Sequence, residues 1–489
     1  MFLVSVQPSA AKKVLDLSRV HMVIIILFMF AFGYLPPIGT ITPVGMKILG
    51  IFIGLLYGWS TFGMLWPSLL GMFALGFSGM GSVKEMLSMG FSNEIVIFLI
   101  FVLVLIEMLS DCDAVNTVVN FFLTRKSLQG RPWLFSFVFL LASGLLCTFG
   151  QAFAAFFLCW SILELLFKRV NYKPYDTYPT IMIIGVVISA AAIGLMVPFK
   201  ATPLLILGAY AGLTGISVNY LQYMLVMIPA GLLFLAGYLF FCHLLLKPDM
   251  APMQNIDAST LVDRSIKATK RQKASLLGFG FFLLLLLIPG CLPTSWPFVI
   301  WMNRIGIAGI TVFCTIVFTL IHIDGKPLLD FPSLARRGLN WPITFMVAVL
   351  MMMTSLLMNE ATGIKAFVLL LLQPITAHCT GFTFLLALFI LGVILTNFMN
   401  NMVVAFMMVP VLVAVSDSMA LNTTVGVLLI LIATSAAYLT PAASPATAML
   451  FAKKEWLRSG DIIKIGCISI AVITVVGLTV VFGLGNLVF

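Results

Sequence analysis

Charged residues are scarce in this sequence. Only 9% of its 489 residues are Asp, Glu, Lys or Arg, whereas 62% are hydrophobic, and the mean hydropathy is +1.15. A soluble globular domain carries roughly a quarter charged residues. The composition therefore excludes a soluble globule, leaves no room for a separate soluble domain and predicts a polytopic membrane protein.

Groups that carry enzymatic chemistry are also sparse. The sequence has four histidines, 17 acidic residues and eight cysteines without a CxxC pair. An enzyme should show His, Asp or Glu clustered on facing segments, and a metal site should show ligands at a defined spacing. Neither pattern occurs, so we predict no enzymatic activity, no metal site and no resident cofactor. We interpret the cysteines as small buried apolar residues.

The net charge of +10 comes from Lys and Arg that stand in short clusters between apolar runs. Such clusters mark cytoplasmic loops and are not arranged as a nucleic-acid-binding face. They predict a cytoplasmic N-terminus, followed by an uncleaved first span because no small-residue cleavage site follows it. Without an organellar presequence, we expect an integral protein of the plasma membrane.

Apolar runs of about 20 residues, read with these basic clusters, predict an all-α fold with about eleven transmembrane helices and two opposed re-entrant hairpins. Residues 132–167 are basic at both ends and predict a hairpin that opens to the cytoplasm. Residues 367–415 predict a second hairpin that enters from outside. A long span broken by prolines follows each hairpin, at residues 178–210 and 424–452.

The matching order of these segments predicts two inverted repeats. The first covers residues 1–246, the second covers residues 274–489, and a cytoplasmic linker at residues 247–273 joins them. Two hydrophobic halves with matching broken segments are typical of secondary transporters. Interrupted helices also leave backbone N–H groups for an anionic solute and carbonyl groups for a small cation.

Amide side chains interrupt the apolar sequence at both predicted hairpin tips. The second tip lies in TNFMNNMVVAFMMVP, which begins at Thr396, and Gln151 of the first hairpin corresponds to Asn401. An amide without a partner costs several kcal/mol in hydrocarbon, so these residues predict a polar cavity or a bound solute. The alternative is a set of interhelical hydrogen bonds without a solute.

This arrangement resembles the divalent anion:sodium symporter family of the ion transporter superfamily over nearly the whole chain. The second hairpin keeps the lead-in Thr396-Asn397 and the central Asn401, and the second break keeps both prolines, with Ser444 where the family has threonine. The resemblance implies a di- or tricarboxylate held by the tip amides. It also implies a homodimer in which hairpins and broken spans move as a rigid unit against a scaffold of the first three spans of each half.

Two departures from the sequence pattern of this family bear on which ion drives transport. Residues 150–152 and 400–402 lack the Ser-Asn-Thr of the family, and the lost hydroxyls remove ligands that a sodium ion would need. Lys200, beside the first break, is placed to replace the cation or to pair with an anionic substrate; the alternatives are that it reaches an interface or pairs with Glu164 or Glu107. We therefore expect transport without sodium, by exchange or by proton coupling.

The sequence thus predicts a secondary active transporter for a small organic anion, embedded in a lipid bilayer as a homodimer and without a nucleic-acid partner. The alternatives are a transporter for another ion, through oxyanion efflux or sodium/proton antiport, a channel, or a membrane-embedded enzyme. The candidate substrate contacts are Gln151, Asn400 and Asn401 from the tips, Thr202, Ser444 and Thr447 from the breaks, and Lys200 as the counter-charge.

Overall fold

A computed structural model describes residues 18–115, 117–118, 130–150, 152–253, 268–293, 295–376, 378–441 and 443–489. The predicted N-terminal cytoplasmic segment, Gln151 and most of the predicted linker at residues 247–273 lie outside these ranges. The described residues form α-helices, and strand structure among them is limited to a short hairpin of β1 (His322–Ile323) and β2 (Lys326–Pro327). The predicted all-α polytopic fold is confirmed.

The helices in chain order are α1 (Ser18–Tyr34), α2 (Pro43–Thr61), α3 (Leu65–Leu75), α4 (Val83–Phe91), α5 (Glu94–Asp111), α6 (Pro132–Phe149), α7 (Ala152–Arg169), α8 (Thr177–Met196), α9 (Ala201–Thr214), α10 (Tyr220–Leu246), α11 (Lys270–Cys291), α12 (Pro297–Leu320), α13 (Phe331–Gly338), α14 (Trp341–Leu357), α15 (Ile364–Thr376), α16 (Gly381–Thr396), α17 (Asn401–Met419), α18 (Thr423–Ser435), α19 (Pro445–Ala452) and α20 (Ser459–Val488).

Eight helical segments of the described chain are long and apolar enough to cross a membrane, with α8 and α9 counted together. The number rises to ten if α4 with α5, bent by 49°, and α13 with α14, bent by 79°, each form one span. The prediction of about eleven spans included helices that are shorter than 18 residues, such as α3 and α18. Hydropathy counts apolar residues but does not locate the bends that divide them into short helices.

Both predicted hairpin segments are pairs of helices with a non-helical tip. In the first half, α6 ends at Phe149 and α7 begins at Ala152. In the second half, α16 ends at Thr396 and α17 begins at Asn401. The predicted segment 367–415 also includes most of α15, which is a separate helix because Thr380 starts α16 by accepting a hydrogen bond from the Thr383 amide. The membrane sides from which the hairpins enter stay a prediction.

The two broken spans are interrupted where prolines restrict the backbone. The α8 helix ends at Met196, and Val197, directly before Pro198, is extended with φ −108° and ψ 103°. The α18 helix ends at Ser435, and α19 begins only at Pro445, after an extended Ser444 with φ −156° and ψ 156°. A residue before proline is disfavoured in helical conformation, so each proline fixes the position of a break.

The span formed by α8 and α9 lies in the centre of the fold. In its most apolar stretch 89% of the residues are buried, against 22% in α11. Close packing of α6 on α8 depends on Gly144, where an added Cβ would lie 2.6 Å from the Ser189 carbonyl oxygen. Small residues at such contacts let membrane helices approach each other closely. The first break is therefore held inside the protein, away from lipid.

Candidate functional site

Asn397 joins the tip of the second hairpin to the second broken span. Its side chain is 2% exposed. The Nδ2 group donates to the carbonyls of Val393 (2.7 Å) and Ala436 (2.9 Å), and Oδ1 accepts from the amides of Tyr438 (3.0 Å) and Leu439 (2.8 Å). One amide thus satisfies backbone groups that interrupted helices leave without intrahelical partners.

Hydroxyl groups complete the second break. Thr440 Oγ1 donates to the Asn397 carbonyl, and Thr447 Oγ1 donates to the Ala437 carbonyl at 2.6 Å. Ser444 Oγ accepts from the Thr447 amide at 3.1 Å and lies 2.9 Å from Thr447 Oγ1. Ser444 is therefore the N-cap of α19, a role for which serine is strongly preferred.

Lys200 connects the first break to the tip of the first hairpin. It directly precedes α9, and its Nζ donates to the carbonyls of Thr148 (2.7 Å) and Cys147 (3.3 Å) at the end of α6. The end carbonyls of a helix carry partial negative charge, which a lysine stabilises. These two bonds use two of the three donors of the ammonium group and leave one for another partner.

The interpretation that Lys200 pairs with Glu164 or Glu107 is wrong. Glu164 forms an ion pair with Lys453, and Glu107 lies 3.9 Å from the guanidinium of Arg337. Each acid therefore lies beside a cation other than Lys200, although Glu107 shares Arg337 with Asp111. The lysine instead bonds to the backbone inside the protein, which also distinguishes it from a lysine that extends to a membrane interface.

A cavity of about 210 Å³ lies between the two breaks. Its wall is built by both halves of the chain, from α7, α8 and α9 of the first and from α17, the end of α18 and α19 of the second. Apolar side chains such as Phe156, Val187 and Leu195 cover much of it. The polar residues on the wall are Lys200, Thr202, Asn401, Ser435, Tyr438, Ser444 and Thr447.

Five of the seven predicted substrate contacts line this one cavity: Lys200, Thr202, Asn401, Ser444 and Thr447. Asn400 is not among the residues that line the cavity; it is the N-cap of α17, and its Oδ1 accepts from the Met402 amide at 3.0 Å. Gln151 lies outside the described residues. The matching breaks in the two halves predicted that these five residues would lie together. Their contact with a substrate stays a prediction.

Two polar residues of the wall were not predicted. Ser435 ends α18, and nothing in its sequence context separates it from the other serines of the apolar segments. Tyr438 could have been predicted from the sequence, since it directly precedes the Leu439-Thr440-Pro441 break. Among the described residues, its buried hydroxyl finds no hydrogen-bond partner. A buried hydroxyl without a partner costs roughly 1–3 kcal/mol.

The electrostatics of the wall favour an anion. Of the described residues that form it, Lys200 alone is charged, and none carries a carboxylate. The helices α9, α17 and α19 start at the wall, with Thr202, Asn401 and Ser444 in or beside their first turns. Helix N-termini carry partial positive charge and present backbone N–H groups. The ends of α8 and α18 add carbonyl oxygens, so the wall can also accept hydrogen bonds.

Comparisons with known proteins bear on the family and the fold of this chain. The family model described as "CitMHS: Citrate transporter" matches residues 55–317, more than half of the chain. The chain belongs to the citrate transporter family. No curated protein sequence matches it significantly. Among the solved structures that match, the Alcanivorax borkumensis YdaH transporter is 14% identical with a TM-score of 0.54, over 82% of this chain and 87% of that one.

The predicted resemblance to a family of di- and tricarboxylate transporters is thereby confirmed, and the protein is a membrane transporter and not an enzyme. At 14% identity the solved structure supports the fold alone. The family match includes Lys200 and Thr202 but ends before Asn401, Ser444 and Thr447. The resemblance seen in the sequence had drawn mainly on the second half of the chain, most of which lies beyond the family match.

Proposed function

We propose that this citrate transporter family member is a secondary active transporter that carries a di- or tricarboxylate such as citrate or succinate. The observation that carries the proposal is the cavity in which Lys200 and Thr202 of the first half face Asn401, Ser444 and Thr447 of the second. A solute with carboxylates at both ends can engage both halves at once. Charge-assisted hydrogen bonds from the ammonium and the amide would hold it.

The proposed substrate route needs no sodium ion. The oxygen-rich end of α6, where a small cation could bind, is occupied by the ammonium of Lys200 through the carbonyls of Cys147 and Thr148. A fixed positive charge at this position supplies what a bound cation would otherwise supply to a carboxylate. Transport would then proceed by exchange or by proton coupling.

Movement of the site is proposed to follow the elevator scheme. The hairpin helices α6, α7, α16 and α17 pack with the broken spans, and hydrogen bonds at Asn397 and Lys200 join each tip to a break. A unit connected in this way would move as one body and carry the cavity between the two membrane faces. The remaining spans would form the scaffold and the interface of a homodimer in the plasma membrane.

The test is uptake into proteoliposomes that contain the purified protein. Labelled citrate and succinate are offered with sodium or with choline as the external cation. We expect saturable uptake that persists in choline. Because a hydrogen bond to a charged group contributes roughly 1.5–3 kcal/mol, Asn401→Ala should weaken half-saturation about 10- to 100-fold. Asn486→Ala, which removes an exposed amide in α20, is the matched control and should leave uptake unchanged.

Four results would contradict parts of this proposal. Binding of neutral solutes only would exclude the anion assignment. If uptake by the wild type stops when choline replaces sodium, and uptake by Lys200→Ala depends on sodium in the same way, the sodium-independent route is excluded. Uptake that neither saturates nor shows counterflow would indicate a channel. Preference for sulfate or phosphate over carboxylates would favour oxyanion transport, the alternative that the small cavity also accommodates.

A further inference from the structure

A second and larger cavity, of about 560 Å³, lies away from the candidate site between α5, α9, α11, α12 and α14. One part of its wall is polar, with Asn93, Glu94 and Asn303. Another part is apolar, with Leu204, Leu207 and Leu286. Its volume lies within the range of about 300–1,000 Å³ that is usual for small-molecule sites.

Glu94 is held in this wall by a break in α12. Gly306 interrupts that helix with φ 67° and ψ 173°, a left-handed φ that favours glycine. Beyond the break, the Ala308 amide donates to Glu94 Oε1 at 3.3 Å. A Cβ on Gly306 would come within 2.1 Å of the same oxygen. The backbone of α12 is thus shaped to admit the carboxylate of α5.

Charge sets Glu94 apart from the other polar groups. Within the described part of the chain, no lysine, arginine or histidine forms an ion pair with it. Asn93 and the nearby Asn219 use their Oδ1 atoms to cap α5 and α10, accepting from Ile95 and Leu221 at 2.9 Å. Those amides have a structural role. Glu94 is the first residue of α5 and is exposed, and its carboxylate supplies the one charge of the described cavity wall.

We propose that this cavity binds an amphipathic cation, with an ammonium group on Glu94 and a hydrocarbon chain against Leu204, Leu207 and Leu286. An anion would be repelled by the carboxylate, and a purely apolar molecule would make no use of its charge. A lipid headgroup with an amine and a soluble alkylamine share this chemistry. The site differs in sign from the candidate site, whose described wall carries only the positive charge of Lys200.

Occupation of the cavity would also affect transport, an extension that rests on the proposed function. The same helix, α9, lines both cavities, with Thr202 and Pro203 at the candidate site and Leu204 and Leu207 at the second one. A molecule held between α9 and α5, α11 and α12 would resist displacement of α9 against them. The ligand would act as an inhibitor that does not compete with the carboxylate.

Binding is tested with hexylammonium on the full-length protein in phosphatidylglycerol nanodiscs, and hexanol is the neutral probe of matched chain length. We expect hexylammonium to raise the apparent melting temperature and hexanol to have little effect. Glu94→Gln keeps an oxygen for the Ala308 amide but loses the charge, so it should weaken hexylammonium binding at least about tenfold. Glu85→Gln, which changes an exposed acid of α4, should not.

Equal binding of hexylammonium by wild type and Glu94→Gln, or equal stabilisation by hexanol, would overturn the proposal. Nanodiscs of phosphatidylethanolamine separate the two sources of the ammonium group. If the lipid is the natural occupant, it will raise the melting temperature of the wild type above that of Glu94→Gln and abolish the response to hexylammonium. If the response is unchanged, the occupant is a soluble amine.

A transport experiment distinguishes failure of this inference from failure of the proposed function. In proteoliposomes, hexylammonium should lower the maximal rate of citrate uptake several-fold without changing the apparent KM, and Glu94→Gln should remove the inhibition. Competition with citrate would overturn the inference. Absence of any carboxylate uptake would refute the proposed function and leave the binding result to stand by itself.

Discussion

Replacement of Asn397 by alanine is the substitution whose effect on stability the structure defines best. The asparagine side chain is buried and makes four hydrogen bonds to backbone groups of Val393, Ala436, Tyr438 and Leu439. Alanine removes all four. It also weakens the connection between the second hairpin tip and the second break, where the bonds from Thr440 Oγ1 to the carbonyl of residue 397 and from Thr396 Oγ1 to the Thr434 carbonyl remain.

The size of the effect follows from these four bonds. Hydrogen bonds inside membrane proteins contribute about 0.6 kcal/mol on average, and buried bonds in soluble proteins contribute up to about 1.5 kcal/mol. Four bonds therefore correspond to roughly 2–6 kcal/mol of the free energy of unfolding. The upper part of this range applies if the released groups of Tyr438 and Leu439 find no water.

Asn400→Ala is the matched control, since it removes the same amide three residues further along the chain. Asn400 makes one capping bond, to the Met402 amide, and that amide also donates to Asn401 Oδ1 at 3.0 Å. The expected loss is at most about 1 kcal/mol. Both variants are compared in one detergent by thermal unfolding followed by intrinsic fluorescence. A loss in Asn400→Ala as large as that in Asn397→Ala would refute the reasoning.

Three further predictions concern packing, ion pairs and the site. Gly144→Ala should cost about 1–3 kcal/mol, because its Cβ would lie 2.6 Å from the Ser189 carbonyl, whereas Gly280→Ala, with no neighbour within 4 Å, should be neutral in the same melting assay. Asp111→Asn removes a carboxylate that forms ion pairs with two arginines. It should lower the melting temperature most at low ionic strength, because high salt weakens these ion pairs in the wild type by screening. Lys200→Met should abolish stabilisation by citrate in a thermal-shift titration.

The breaks could be predicted from the sequence because their cause is local. Pro198 and Pro445 restrict the residue before them wherever the chain runs, and both positions proved to be helix interruptions. Polar residues beside such breaks lie in apolar sequence and must find polar partners inside the protein. That constraint brought Lys200, Asn401 and Ser444 to one cavity wall in the prediction and in the structure.

Helix bends and long-range partners could not be predicted in the same way. The pairing of Lys453 with Glu164 depends on how α7 and α19 are placed in three dimensions, and no spacing in the sequence encodes it. The break in α12 likewise has no proline. Gly306 is one of 38 glycines, and only the approach of Glu94 shows why this one leaves the helical conformation.

The asparagines of the second hairpin show which property of a site cannot be predicted from the sequence. Apolar surroundings require that each amide find partners, but they do not say whether those partners are backbone groups or a solute. In the structure Asn397 uses its donor and acceptor groups on the backbone, while Asn401 lies on the cavity wall. The two substitutions should therefore have different effects. Asn397→Ala should lower stability more than substrate affinity, and Asn401→Ala should lower substrate affinity more than stability. If both variants lose stability and affinity in the same proportion, the division between a positioning amide and a binding amide is wrong.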